Sequence, residues 1–175
     1  RLLASPHYGE RWGRHWLDVA RFGESHGYES DNERPSAWTY RDAVIRAFNA
    51  DLPFDTFIRH SIAGDVLKGD DPLAVALTGF ITSGSTVTNV DGADREKAKY
   101  DKLDDIVSST GSAFLALTIG CARCHDHKYD PIAQRDYYRL VGFFLPGSAR
   151  DRQIAIGRSG SKVKGLAWNG GNKKN

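Results

Sequence analysis

Apolar residues in this chain recur three and four positions apart and almost never alternate, which predicts helices and argues against strands. Ser5-Pro6 reads as a helix start, with an apolar face of Tyr8, Trp12, His15/Trp16, Val19 and Phe22 that ends near Gly23 and Gly27. Ser36 precedes a second helix from Ala37 to about Asn49. Pro53 opens a third, Phe54 to about Leu67, with Phe54, Phe57, Ile58, Ile62 and Val66 inward. A shorter apolar stretch covers Leu73 to Ile81. A long helix is expected from about Ala93 to Ile119, ending at Gly120, and a last one from Gln134 to Phe144. The fold class that follows is all-α: a compact multi-helix domain.

Charge divides the chain into two parts. The whole carries a net +2, too little for binding nucleic acid on charge alone. From Pro146 onward there are seven basic residues, one acid and six glycines, while the first 145 residues are net acidic. That composition reads as a helical domain over residues 1–146 followed by a basic, Gly/Lys-rich tail or linker over 147–175, either a solvated connector or a segment docked on the acidic body or on a neighbouring domain. No run approaches the roughly 18 apolar residues of a membrane span. Methionine is absent even at the first position, where Arg1 stands, so the chain reads as a processed product or a piece of a longer protein. Its two cysteines are too few for a disulfide scaffold.

Those cysteines fall in Cys121-Ala122-Arg123-Cys124-His125. Two thiols three residues apart can bond the two vinyl groups of a haem, and the adjacent imidazole can then take the iron as axial ligand. Two other chemistries use a Cys-x-x-Cys pair. A zinc site needs about four ligands, which His125 and His127 would have to complete. A thioredoxin-like redox pair needs a preceding strand, where a helix is expected here. With no methionine, a His/Met-ligated iron is impossible within this chain. His15 is the best candidate for the distal ligand. It lies among Trp12, Trp16 and Val19, where burial would favour the neutral ring and Asp18 would orient it; the competing reading is a packed core histidine. His127 follows the motif too closely to reach the far face of the same haem, and reads as a residue that supports the ligands from behind, contacts a propionate or lies at the surface. His7 and His26 lie near helix ends, and His60 on a polar side. Trp12, Trp16, Trp38, Tyr137, Tyr138, Phe143 and Phe144 are candidate pocket walls, with ordinary core packing as the alternative. Arg123 and Lys128 flank the motif and are candidates to pair with propionates, with solvated surface charge as the alternative.

The stretches from Ala4 to Asp18 (ASPHYGERWGRHWLD) and from Gly120 to Ile132 (GCARCHDHKYDPI) resemble the DUF1549 domain, also called the planctomycete cytochrome C-associated (PSCyt2) domain. Ala37-Trp-Thr-Tyr-Arg-Asp42 and Ala63-Gly-Asp65 agree with it. The resemblance spans about Arg1 to Phe144 and implies a part of a large exported bacterial protein, often beside a separate cytochrome c domain. Together with the motif, it sets the expectation of a monohaem c-type domain. One covalent haem c would be held by Cys121, Cys124 and His125, with Arg123, Trp12, Trp16 and Tyr137 around it and His15 as the second iron ligand. Its work would be electron transfer with a redox protein or neighbouring cytochrome domains, rather than catalysis. A peroxidase-like haem enzyme and a structural module stapled by haem are the alternatives. Thioether attachment implies a place in the periplasm, at the cell surface or outside the cell.

Overall fold

The computed structural model of the chain describes residues 1–28, 30–156 and 161–169. Its helices are α1 (Tyr8–Val19), α2 (Trp38–Asn49), α3 (Phe54–Leu67), α4 (Pro72–Leu77), α5 (Gly79–Thr82), α6 (Arg95–Leu115) and α7 (Gln134–Phe144). A 3₁₀ turn, Ile119–Arg123, lies between α6 and α7, and strands β1 (Ser148–Ile156) and β2 (Ser161–Asn169) follow.

Gly9 and Gly13, rather than aromatic residues, make the buried face of α1 together with Trp16. A side chain at Gly9 would collide with the Ile45 carbonyl on α2. The two helices therefore meet backbone to backbone, and the Gly9 N–H donates to Asn49 Oδ1 at 2.8 Å. This corrects the expected aromatic face: Trp12 is 51% and Val19 50% exposed. Of that set, Trp16 enters the core. Its Nε1 donates to the Tyr40 hydroxyl at 2.8 Å. Its ring lies edge-on to Phe57 and against Phe80 and Phe114. α4 and α5 run through the centre, with Ala74, Leu77, Phe80 and Ile81 almost wholly buried.

Helices end where the sequence carries no glycine. Arg21 (φ 50°), Asp51 (φ 49°) and Ala116 (φ 54°) adopt left-handed backbone after α1, α2 and α6. In each case the next N–H reaches back to a carbonyl in the last helical turn: Phe22 to Leu17, Leu52 to Ala47, Leu117 to Gly111. This is the Schellman closure, which usually employs glycine. For this reason α1 stops before Phe22 and α6 stops at Leu115, not at Gly120. α3 matches its expected span but bends at Ala63, and Phe54 and Val66 are both 61% exposed rather than inward. His60, expected on a polar side, is buried.

The fold is mostly helical but not purely so. The segment read as a linker forms an antiparallel hairpin, with Ile154 opposite Val163 in register. The hairpin packs on α4 and α5, and Ile154 joins the core at 3% exposure. The charge and glycine count outweighed the few apolar residues that make this possible. The last part of the Gly/Lys-rich tail, residues 170–175, lies outside the described residues.

Candidate functional site

The Cys-x-x-Cys-His segment is a tight turn held between α6 and α7. The 3₁₀ turn packs on both helices, and Ile119 and Ala122 are its buried members. A side chain at Gly120 would meet Ser108 Oγ at 2.5 Å, so the turn sits close against α6 and any larger residue there would have to displace that hydroxyl. The Cys121 N–H donates to the Thr118 carbonyl at 3.1 Å. The Arg123 carbonyl accepts from Gln134 Nε2 at 3.0 Å and from the Tyr138 hydroxyl at 3.1 Å, both on α7.

Arg123 itself faces α6. Its Nη2 donates to Asp101 Oδ1 at 2.9 Å, and its Nη1 lies 3.1 Å from Asp104 Oδ2. The hydrogen bond to Asp101 holds the guanidinium above its ordinary pKa. Asp101 is lowered by Lys97 first and Arg123 second. Tyr137 donates its hydroxyl to Asp104 Oδ1 at 2.5 Å. Burial first, then that bond and the Asp104 charge, raise the Tyr137 phenol. Arg123 and Tyr137 thus form one network that clamps the turn to the body.

His127 is a second clamp. Its side chain is only 5% exposed. Nδ1 accepts from the backbone N–H groups of Asp130 (2.9 Å) and Tyr129 (3.3 Å). The ring proton is therefore on Nε2, which lies 3.0 Å from Thr118 Oγ1 and donates to it. Asp130 Oδ2 is 3.3 Å from the same Nδ1. A nitrogen already accepting two N–H groups has no proton for it, so this is proximity and not an ion pair. The surface reading of His127 is corrected: its ring is buried and ties the 127–132 loop to Thr118. The loop closes with His127 N–H to the Ile132 carbonyl at 2.8 Å, and Asp126 Oδ1 accepts from the Gln134 N–H, in the first turn of α7, at 2.8 Å.

Against this anchored backbone, the chemically active side chains face outward. Cys121 and Cys124 are free and exposed. His125 is exposed, and its Nδ1 lies 2.7 Å from the Asp126 carbonyl. A carbonyl only accepts, so the proton is on Nδ1 and the Nε2 lone pair is left without a partner among the described residues. Two free thiols beside a tautomer-fixed imidazole suit covalent attachment and axial ligation of a haem.

Of the expected surroundings, Arg123 and Tyr137 are at the turn. Trp16 is buried in the core among Tyr40, Phe57, Phe80 and Phe114, and Trp12 lies exposed on α1 beside His15, their rings 5.4 Å apart. His15 is exposed rather than desolvated, and its Nε2 accepts from Arg11 Nη1 at 2.6 Å. Asp18 is exposed as well. At helical pitch His15 lies about 100° from Trp16, which puts the histidine on the solvent side once Trp16 is buried. Tyr138 does reach the motif, through the Arg123 carbonyl, while Lys128 lies over the Tyr129 ring at 5.2 Å. The four-ligand shell of a zinc site is not present: no group of three or more His, Cys, Asp or Glu among the described residues is placed to hold a metal ion. His127, which would have to join His125 in such a shell, has both ring nitrogens engaged by Thr118 and the 127–132 loop.

Sequence reasoning missed Thr118, Asp101, Asp104, Asp126 and Gln134, which fix the turn. Their partners lie 8 to 33 positions away, as for Asp126–Gln134 and Asp104–Tyr137, so no local pattern signals them. No helix among the described residues is long and apolar enough to cross a membrane. No curated protein and no solved structure matches the chain. The family model described as PSCyt2, protein of unknown function (DUF1549), matches residues 1–148, taking in α1, the clamped turn and α7; the chain belongs to the DUF1549 family.

Proposed function

We propose that this DUF1549 domain is a monohaem c-type module that exchanges electrons with a redox protein or a neighbouring cytochrome domain in an exported bacterial assembly. The observation that carries the proposal is the pairing of two free, exposed thiols with a histidine whose Nδ1 proton is fixed on a backbone carbonyl, all on a turn anchored from both sides. Cys121 and Cys124 would hold the porphyrin through thioethers, and His125 Nε2 would ligate the iron. The bound group would supply one-electron redox chemistry. The chain's own contribution is positioning. The Arg123–Asp101–Asp104–Tyr137 network and the Gln134 and Tyr138 bonds to the Arg123 carbonyl fix the backbone on which the three side chains stand. The Asp126 carbonyl keeps the His125 proton off the ligating nitrogen.

Electron transfer is favoured over a structural staple because protein hydrogen bonds already close the turn. It is favoured over a peroxidase-like enzyme because the motif is at the surface, where a group is open to a docking partner. The second axial ligand is left open by this proposal: His15 would have to give up Arg11 and approach from α1.

The test is expression of the chain with and without the bacterial cytochrome c maturation machinery. With it, the intact mass is expected to rise by about 616 Da, one haem, and the reduced-minus-oxidised spectrum to show c-type bands. Cys121→Ala together with Cys124→Ala is expected to abolish both. A colourless product with the polypeptide mass after co-expression would overturn the proposal.

A further inference from the structure

On the side of α6 away from the Asp101/Asp104 pair that holds Arg123, a cleft of about 340 Å³ opens between that helix, the 82–86 segment and the start of β1. This is within the size range of small-ligand sites, about 300–1,000 Å³. Arg34, His26, Lys99 and Lys102 line it. Helical spacing puts Lys99, Lys102, Leu103 and Ile106 on one face of α6, and Leu145 completes an apolar wall with the last two.

Among the described residues, the basic groups at this cleft are not matched by carboxylates. Arg34 is nine-tenths buried, and its Nη1 and Nη2 donate only to the carbonyls of Ser83, Gly84 and Thr82. Carbonyls solvate a guanidinium without neutralising it. The Lys102 ammonium likewise lies on the Gly84 and Ser85 carbonyls, at 3.3 and 3.4 Å. The nearby carboxylate, Asp105, is 3.8 Å from Lys102 but is held bidentately by Arg21 at 2.7 and 2.8 Å. Among the described residues neither Arg34 nor Lys99 has an ion-pair partner.

Among the described residues, two buried polar atoms of lining residues also have no partner: Arg34 Nε and His26 Nδ1. Buried polar groups are normally satisfied, so each orphan calls for an explanation. A bound acceptor would serve Arg34 Nε.

We propose that this cleft binds a small amphiphilic carboxylate, its head at Arg34 and Lys102 and its apolar body along Leu103, Ile106 and Leu145. A carboxylate fits better than phosphate on two grounds. The fork of Arg34 is already occupied, leaving one N–H and one ammonium for a two-oxygen head. The wall beyond is aliphatic and suits a hydrocarbon rather than a hydrated anion. The site stands independently of the haem proposal, because it shares no residue with the Cys-x-x-Cys-His turn.

Calorimetric titration of the full chain with octanoate, octanol and inorganic phosphate tests it. Octanoate is expected to bind with one-to-one stoichiometry and more tightly than either control. Lys102→Met, which keeps the stem and removes the charge, is expected to weaken octanoate about tenfold, as loss of a charge-assisted hydrogen bond does, and to leave octanol unchanged. Lys99→Met, at the exposed rim, is expected to weaken it about threefold without touching the fold. Circular dichroism verifies that both variants are folded. Absence of octanoate binding at millimolar concentration, equal binding of phosphate, or wild-type affinity in both variants would overturn the assignment.

Discussion

His127 offers the most direct measure of how firmly the candidate turn is held. Replacing it with alanine removes the donor to Thr118 Oγ1 at 3.0 Å and the acceptor of the Asp130 N–H at 2.9 Å, plus a longer contact to the Tyr129 N–H at 3.3 Å. Each well-formed bond contributes about 1 kcal/mol net. Tyr129 is 83% exposed, so water can reach the freed N–H groups of that loop and the full penalty for buried orphans does not apply. The expected loss is about 2 kcal/mol, with the small void left by the ring adding to it. For a domain of this size that lowers the melting temperature by about 4–8 °C. Thr118→Val keeps the shape and removes one acceptor, with an expected cost of about 0.5–1 kcal/mol. Combining the two isolates the bond from the void: the double variant should be less destabilised than the sum of the singles by about 0.5–1 kcal/mol. Urea denaturation of the four proteins supplies the numbers. A loss under about 0.5 kcal/mol for His127→Ala, or strict additivity with Thr118→Val, would refute the clamp.

Three further outcomes follow from the same geometry. Gly9→Ala must drive a methyl group into the Ile45 carbonyl and break the bond to Asn49, and is expected to cost about 1–3 kcal/mol in urea; Gly142→Ala in α7, with open space around it, should instead gain about 0.5–1 kcal/mol. Lys102 is lowered to about 8 by burial, so between pH 8 and 10 the unfolded chain holds more protons than the folded one and stability should rise with pH; Lys102→Met should flatten that rise in denaturant titrations. The raised phenols of Tyr40 and Tyr137 act in the opposite sense, but only above about pH 10, where free tyrosine ionises. Arg123→Lys loses the fork that bridges Asp101 and Asp104 and should cost about 1 kcal/mol, modest because the group is about one-third exposed, with faster amide exchange in residues 119–124 as a local readout.

Helix existence was legible because period and turn residues agree over most of the chain: α3 and α7 fall on their expected spans. Helix ends were less so. Arg21, Asp51 and Ala116 carry the left-handed turns that glycine usually carries, and a rule keyed to glycine runs past them. The face of α1 was misread for a related reason. Apolar count favours Trp12 and Val19, yet closeness of two backbones favours Gly9 and Gly13, and the closer approach wins because it also brings in the Asn49 bond. The site shows the same division. Cys121, Cys124 and His125 were legible as a chemical unit, since their spacing is local. His15 was not placeable, because a one-residue rotation about α1 separates a core position from a solvent position, and Trp16 takes the core.

The seven residues from Cys121 to His127 therefore perform two kinds of work that a linear motif does not separate. Ala122 packs, Arg123 and His127 hold distant segments, and Asp126 both engages the start of α7 and fixes the His125 tautomer through its carbonyl. What remains is Cys121, Cys124 and the far nitrogen of His125, three groups with no folding duty in the described structure. A protein with only two cysteines that leaves both free and exposed, while fastening every neighbour in the turn, carries a reactive liability unless those thiols are destined for a bond. The same inference separates the proposed haem link from a disulfide. A redox pair would need only Cys121 and Cys124. The fixed proton on His125 gains purpose only if something binds its other nitrogen, so His125→Ala should leave thiol reactivity intact while changing the spectrum of the matured protein.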